Sequence, residues 1–266
     1  ICENNSDSEL SGFTITNGFY DDGGGGHNND DGGGGIRCLY CTILISDVIV
    51  TENQSINDDG AGLFIRYSNV SIENTSIINN VAGNGAGGFR ADFSSVFLNS
   101  VELINNRTLD GGNGGAIYLG ATNLDLNNSL IYNNEAWMGG AVYTSGGSID
   151  IINSTIVSNT TNYPNMGAIV NAGGTSISIM NTIVWGNNPF ELYDITNIEY
   201  SNIQGGSSGN GNIDIDPQFT NPENSDYPLQ STSPCIDVGD PNSELDPDGT
   251  IADMGAYYFH QYQPPL

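Results

Sequence analysis

Apolar and polar residues alternate over short stretches that recur along the chain. Leu124 and Leu126 precede Asn128 with one polar residue between them, and Ile149 and Ile151 precede the next asparagine of the series in the same way. A period of two is typical of a β-strand with one buried face. The pattern therefore predicts many short strands, and good helix formers are too scarce to favour helices.

The strands belong to an internal repeat. A polar residue recurs six positions before an asparagine in seven places, and the first members of these pairs lie 36, 27, 26, 28, 25 and 28 residues apart. A fixed period of this size indicates a solenoid. The pairs are Ser11/Asn17, Asp47/Asn53, Asn74/Asn80, Ser100/Asn106, Asn128/Asn134, Asn153/Asn159 and Asn181/Asn187.

A second recurring feature, which we call the landmark, lies at a nearly constant distance before each pair. A Gly/Ala-rich turn leads into an apolar residue that lies 11 positions before the first member of the pair in five copies and 12 in the sixth. Each unit then contains three short strands, as at 114–119, ahead of Asn128 and at 129–132, and such a unit buries a core only by stacking on its neighbours. The landmarks are Ile36, Leu63, Phe89, Ile117, Val142 and Ile169.

These repeats resemble the right-handed parallel β-helix family, the architecture of pectate-lyase-like enzymes, tail spikes and many bacterial surface proteins. The resemblance covers residues 1–206 and implies an all-β solenoid of about seven to eight coils with three strands each; it specifies a fold and not an activity. In such a stack the amides of Asn74, Asn128, Asn153 and Asn181 are expected to form a hydrogen-bonded ladder along the axis.

Residues 207–266 are rich in aspartate and proline, and the period fades there. The segments 214–219, 233–241 and 246–257 resemble the module that follows β-helix repeats in secreted bacterial proteins of the choice-of-anchor kind. Such proteins usually continue into an anchoring domain, so the resemblance implies a further C-terminal anchoring domain that these residues do not include. We expect this segment to be an irregular cap over the strand edges of the last coil. Asp246, Asp248 and Asp253 are weak candidates for a calcium site, although turn formation explains them as well.

Composition restricts the function. The 266 residues contain 36 glycines and carry a formal net charge of −27, from 31 Asp and Glu against 4 Lys and Arg. Such a chain lacks the clustered cations of a nucleic-acid binder, and no apolar run approaches the ~20 residues of a membrane span. The acidic, lysine-free composition favours a secreted or cell-surface protein.

The cysteines and one insertion are further candidates for specific chemistry. Aligning the first coil with the second places Cys2 beside Cys38, which predicts adjacent thiols or a disulfide. Cys38 and Cys41 form an isolated Cys-x-x-Cys, for which buried thiols or a disulfide are the default. The insertion 21–35 contains four carboxylates, a histidine and eight glycines, and predicts either a calcium loop or a solvated loop.

Strand alternation also predicts which side chains face outward. Three of the four arginines fall on one sheet face in three consecutive coils, followed by aromatic rings; guanidinium groups suit carboxylates or sulfates. The alternative is that exposed strand positions favour such residues and that arginines offset the acidic field. The candidate ligand-binding residues are Arg37, Phe64, Arg66, Arg90, Asp92, Tyr118 and Tyr143.

Two hypotheses of function follow. The first is a noncatalytic extracellular structural or adhesive module that binds glycan or associates end to end into a fibre. The second is a polysaccharide lyase or related enzyme, because the resemblance to pectate-lyase-like proteins implies a groove on this face with Arg66 or Arg90 as the base and Asp92 as a metal or substrate partner. The face lacks lysine, histidine and a carboxylate cluster, which favours the first hypothesis.

Overall fold

The computed structural model describes residues 1–4, 7–21, 32–109 and 111–261, and these form a parallel β-solenoid with three parallel sheets. The predicted all-β solenoid with three strands per coil is confirmed. Helix is limited to one 3₁₀ turn in the described residues, Pro222–Asn224. None of their helical segments has the length and apolarity needed to cross a membrane.

The first sheet has 14 strands and two arms, which meet in two long strands, Ile117–Asn127 and Val142–Ile152. The first arm contains Cys2–Glu3, Ile36–Leu39, Leu63–Arg66, Phe89–Asp92, Gly167–Asn171 and Phe190–Tyr193. The second arm contains Ser8–Ser11, Thr42–Ser46, Asn69–Glu73, Ser95–Asn99, Ser176–Met180 and Asn197–Glu199.

The other two parallel sheets have eight and six strands. The second sheet consists of Thr14–Thr16, Ile49–Thr51, Ser76–Ile78, Glu102–Ile104, Leu130–Tyr132, Thr155–Val157, Ile183–Trp185 and Asn202–Ile203. The third sheet consists of Phe19–Asp21, Gln54–Ile56, Val81–Ala82, Arg107–Thr108, Glu135–Ala136 and Thr160–Thr161.

Equivalent residues of successive coils pair in register. Ile72, Leu98 and Leu126 are partners on adjacent strands, and each side chain is 0% exposed. The alternation read from the sequence thus produces continuous columns of aliphatic side chains in the core. Such columns bury apolar surface that a single coil of this size could not bury.

An asparagine ladder runs parallel to these columns. Asn106 donates its two Nδ2 hydrogens to Asn134 Oδ1 at 3.1 Å and to the Ile77 carbonyl at 2.8 Å, and its Oδ1 accepts from Asn80 N and Nδ2 at 3.1 and 3.0 Å. All four hydrogen-bonding positions of the amide are therefore satisfied. The ladder consists of Asn53, Asn80, Asn106, Asn134, Asn159 and Asn187.

The predicted position of the ladder is wrong, because it runs through the second member of six of the seven pairs, and Asn17 of the first pair is exposed. The first members take the left-handed backbone conformation at the turn, with φ of 47°, 48°, 46° and 48° at Asn74, Asn128, Asn153 and Asn181. Asparagine tolerates this conformation better than most residues. The residue after each of them is Ser or Thr, whose buried hydroxyl accepts a backbone N–H from the preceding coil, as in Ser129 Oγ with Val101 N at 3.1 Å.

The solenoid has about 6 turns, fewer than the seven to eight predicted. The predicted number was counted from the recurring pairs, each of which marks a turn next to the second sheet. That count therefore includes coils that are incomplete. After the last pair the chain enters no third-sheet strand: Phe190–Tyr193 follows directly and pairs with Gly167–Asn171 of the first sheet.

The C-terminal segment contacts the solenoid in two places. Ile213 exchanges backbone hydrogen bonds with Ser201 and Ile203 of the last coil, at 2.9 and 3.0 Å. Farther on, an antiparallel pair, Phe219–Asn221 with Asp226–Leu229, and the residues around Met254 pack on the outer face of the second sheet. The segment therefore covers part of the end and one side of the solenoid; the predicted boundary at residue 206 stays a prediction.

The ladder ends at a carboxylate. Glu191, which is 7% exposed, accepts hydrogen bonds from the backbone N–H of Asn187 and from its Nδ2. Burial raises the pKa of Glu191 to about 7, although the hydrogen bonds from Asn187 oppose the shift.

Asn134→Ala tests the ladder. Removing the amide leaves Asn106 N and one Nδ2 hydrogen of Asn106 without their acceptor in the core, and it takes one of two donors from Asn159 Oδ1. We therefore expect a loss of about 3 kcal/mol in the free energy of unfolding. Chemical denaturation measures it. The control is Asn133→Gly at the neighbouring exposed left-handed position, φ 55°, with an expected change within about 0.5 kcal/mol. Equal losses in the two variants would contradict the assignment of the ladder.

Glu191 predicts a pH dependence of stability. Its folded pKa of about 7 lies above the ordinary glutamate pKa of 4.5, so the unfolded state releases this proton first as pH rises. The contribution of Glu191 to the free energy of unfolding is fully present below pH ~4.5 and is lost as pH rises through ~7. Between pH 5 and 8 we expect wild type to lose about 2 kcal/mol relative to Glu191→Gln in denaturation experiments. Parallel pH profiles of the two proteins would contradict this.

Candidate functional site

The predicted outward residues of the first arm form two rows. Arg37, Phe64, Arg90, Tyr118 and Tyr143 are successive register partners. The neighbouring row contains Leu39, Arg66, Asp92, Gly120 and Ser145. The structure thus brings together all seven candidate residues, as the spacing of the landmarks implies.

Arg90 is held by charges of its own chain. Its guanidinium makes ion pairs with Asp59 and, at 2.8 Å, with Asp92, and lies 4.5 Å from the centre of the Tyr118 ring. Burial acts to lower the pKa of Arg90, but the two carboxylates outweigh it and raise the pKa. The charge of Arg90 is therefore largely compensated within the fold.

The rest of the arginine face is largely covered. Phe64, Arg66 and Asp92 are 2%, 8% and 6% exposed. Part of the cover is Gly33, φ +88°, where an added Cβ would lie 3.2 Å from Phe64 Cβ and 3.3 Å from Arg37 Cβ. The catalytic roles predicted for Arg66, Arg90 and Asp92 stay predictions, and the cover leaves little open approach for a polymeric substrate.

Two tyrosines of the stripe lie beyond this cover. The rings of Tyr118 and Tyr143 stack with centroids 5.1 Å apart and planes inclined by 27°, and both side chains are half-buried. Burial, with a smaller contribution from Tyr118, raises the pKa of Tyr143. The pair continues the Arg90–Tyr118 contact along the solenoid axis.

A second aromatic feature was missed in the sequence. Tyr40, Tyr67 and Phe93 occupy the left-handed turn position between the two arms in three successive coils, with φ of 51°, 49° and 51°. Their rings stack at 5.0 and 5.3 Å, and they are 50%, 40% and 54% exposed. We call these three residues the aromatic ridge. Their constant position, four residues after each landmark, was a signal that could have revealed them.

The guanidinium of Arg66 lies close to two rings of the aromatic ridge. Its guanidinium carbon lies 5.1 Å from the centre of the Tyr67 ring and 5.8 Å from that of Phe93. A cation near an aromatic face is attracted by the ring quadrupole. Arg66 thus stabilises two of the three bulky left-handed turn residues, which are otherwise costly.

A groove of about 450 Å³ lies beside the ridge on the second arm. Its floor contains the side chains of Thr42, Asn69, Ser71 and Ser95, and Phe97, 39% exposed, stands in it. We call this space the lateral groove. Asp7 and Glu9 lie at its N-terminal end, so the charged side chains lining it are acidic. Amide, hydroxyl and aromatic groups together suit a polar ligand with apolar faces.

The candidate carboxylates of the C-terminal segment accept hydrogen bonds from backbone N–H groups. Asp253 accepts from Asp237 N at 2.7 Å and Phe259 N at 2.6 Å, and Asp246 accepts from Asp253 N at 2.9 Å. Burial and the neighbouring aspartates raise the pKa of Asp246 to about 6. Among the described residues no group of three or more His, Cys, Asp and Glu side chains is arranged to hold a metal ion. The predicted calcium loop at 21–35 falls mostly on 22–31, outside the described residues.

Comparisons of the chain with protein-family models, curated proteins and solved structures find no match.

Arg90→Ala tests the structural role of the arginine face. The substitution leaves Asp59 and Asp92, whose side chains are 21% and 8% exposed, without their cation, so we expect a loss of about 2 kcal/mol in the free energy of unfolding. Chemical denaturation measures the loss. Arg107→Ala, at an exposed position, is the control and should change stability by less than about 0.5 kcal/mol. An Arg90→Ala protein of wild-type stability would show that the ion pairs contribute nothing.

Proposed function

We propose that the protein is a noncatalytic extracellular or cell-surface β-solenoid that binds glycan chains in the lateral groove. The observation that carries the proposal is Phe97, an exposed ring that stands among hydroxyl and amide side chains next to the aromatic ridge. Sugar rings present apolar C–H faces and hydroxyl edges, and this lining offers a partner to each.

The geometry of the ridge assigns different roles to its rings. The ring planes of Tyr67 and Phe93 differ by only 12°, and those of Tyr40 and Tyr67 by 16°, so the inner ring faces are occupied by neighbouring rings. The ridge therefore presents mainly ring edges and tyrosine hydroxyls to the outside. Phe97 makes no ring contact with another aromatic side chain of the described residues, so it supplies the face for stacking.

Electrostatics indicate the charge class of the glycan. Asp7 and Glu9 line the groove, the whole chain carries a net charge of −27, and Arg90 is paired. Desolvating a uronate or sulfate beside these carboxylates is unfavourable. The supported ligand is a neutral or amine-bearing polysaccharide, in contrast to the acidic polymer that the arginines suggested in the sequence.

End-to-end association into a fibre finds less support. The strands of the first coil pair on one side only within the described residues, which leaves an edge for another coil. At the other end, however, Asn210 and Ile213 already hydrogen-bond to the last coil. A head-to-tail stack would have to displace them, so glycan binding is the better-supported proposal.

Affinity electrophoresis through neutral, amine-bearing and sulfated polysaccharides tests the proposal. We expect the protein to be retarded by a neutral or amine-bearing polymer and Phe97→Ala to weaken that binding about tenfold, because an aromatic contact contributes roughly 1–2 kcal/mol. Phe190→Ala is the matched control, a phenylalanine 54% exposed on the first arm of the last coil, and should bind like wild type.

Two results would overturn the proposal. One is the absence of binding to all polymers, or equal binding by Phe97→Ala and Phe190→Ala. The other is turnover of pectin, alginate or a sulfated glycan that disappears in Arg66→Ala and Arg90→Ala, which would establish the enzyme hypothesis instead.

A further inference from the structure

Three thiols meet at the N-terminal end of the core. Cys2 and Cys38 are register partners on adjacent parallel strands, and Cys41 lies at the turn into the second arm. They are 8%, 0% and 4% exposed, and all three are free. The thiol of Cys41 is hydrogen-bonded to both of the others, so it is the shared member of the cluster.

The surroundings of Cys41 favour its thiolate. It occupies the place that Ser68 and Ser94 take in the following coils, and its backbone N–H donates to Ser68 Oγ at 3.1 Å. The Ser68 hydroxyl lies 3.7 Å from Cys41 Sγ. Hydrogen bonds from Cys38, and also from Cys2 and Ser68, lower the pKa of Cys41. The same bond to Cys41, together with burial, raises the pKa of Cys38.

Strand geometry argues against a bond between the two register partners. Neighbouring parallel strands lie ~4.8 Å apart and their paired side chains point the same way, which keeps the Cβ atoms near that separation. A disulfide requires a Cβ–Cβ distance of ~3.5–4.5 Å. Cys41 approaches Cys2 from the turn and is free of this restriction.

The two partners of Cys41, Cys2 and Cys38, differ in how accessible their thiols are to a reactant from solution. Cys2 and Cys41 keep 8% and 4% of their surface exposed. Cys38 is fully enclosed. Thiol–disulfide exchange needs an approach to the sulfur that is attacked, which only Cys2 and Cys41 offer.

We propose that Cys2 and Cys41 form a disulfide that joins the first coil to the second in an oxidising compartment, with Cys38 left as a thiol. The oxidant is a small-molecule disulfide such as oxidised glutathione. The Cys41 thiolate attacks it, which forms a mixed disulfide on Cys41 and releases one glutathione thiolate. The Cys2 thiolate then attacks Cys41 Sγ, which forms the protein disulfide and releases the second; the two protein thiols lose two protons and two electrons.

The bond would hold a weakly attached element. Cys2–Glu3 is a two-residue strand on one edge of the first sheet, and its register with Ile36–Leu39 is limited to two pairs. A covalent link to Cys41 closes a loop of ~40 residues that contains the glycine-rich insertion. Closing such a loop removes much of the conformational entropy of the unfolded chain.

Disulfide mapping tests the proposal. The purified chain is incubated with oxidised glutathione at mildly alkaline pH, its remaining thiols are alkylated, and the peptides are identified by mass spectrometry. We expect a peptide that links Cys2 to Cys41 and an alkylated Cys38. A Cys2–Cys38 or Cys38–Cys41 link, or three alkylated thiols, would overturn the proposal.

Variants add a readout of stability. Cys38→Ala should still form the bond, and oxidation should raise its midpoint of thermal unfolding by roughly 5 °C, reversibly with dithiothreitol. Cys41→Ala should form no internal disulfide and show no shift. A shift that persists in Cys41→Ala, or is absent from oxidised Cys38→Ala, would contradict the assigned pairing.

Discussion

The structure depends on hydrogen bonds that are satisfied only between coils. Each of the four inner ladder asparagines donates to the asparagine of the next coil and accepts from that of the previous one, as Asn80, Asn106 and Asn134 show. A buried amide with a missing neighbour would leave donors or acceptors unpaired, at a cost of about 1–3 kcal/mol each. The spacing between a landmark and its pair is therefore nearly constant, while length changes elsewhere in the coil are tolerated.

The ladder also has a direction. Every amide points its NH₂ group toward the C-terminal coil, so the amide dipoles are aligned and their positive end meets Glu191. An acceptor is required there because no further asparagine follows. Burial of that acceptor keeps its pKa high, so the same contact that completes the ladder makes this end of the solenoid sensitive to pH.

The sequence predicted the fold because the repeat fixes register. The alternation before Asn128 identifies strands, and the recurring pairs identify the coil. The same information could not decide which asparagine of a pair faces inward, since both recur with one period. That choice depends on the turn: a left-handed residue followed by a buried hydroxyl, as in Asn128 and Ser129, places the ladder six residues later.

The candidate site was less predictable for a related reason. Register aligned Arg90 with Tyr118, but its partner Asp59 lies in a loop 31 residues away and shares no repeat position with it. The repeat determines which residues stack along the solenoid axis. It does not determine which loop residues pack over the outer face of a sheet. The sequence therefore predicts the row of arginines but not the residues that cover it, because the cover has no periodic signal.

This difference between stacked and covered residues is also the reason for placing the proposed ligand on the second arm. On the first arm, Arg90 pairs with Asp59 of a loop and with Asp92, so these charges are compensated within the fold. On the second arm, the row of Leu44, Ser71 and Phe97 stays open, because those positions face a groove. Phe97 is in register with Ser71, so it has no aromatic ring to stack on in that neighbouring coil. Its exposed surface is a cost to the fold that contact with a ligand would offset, and that makes the lateral groove a better-supported binding surface than the arginine face.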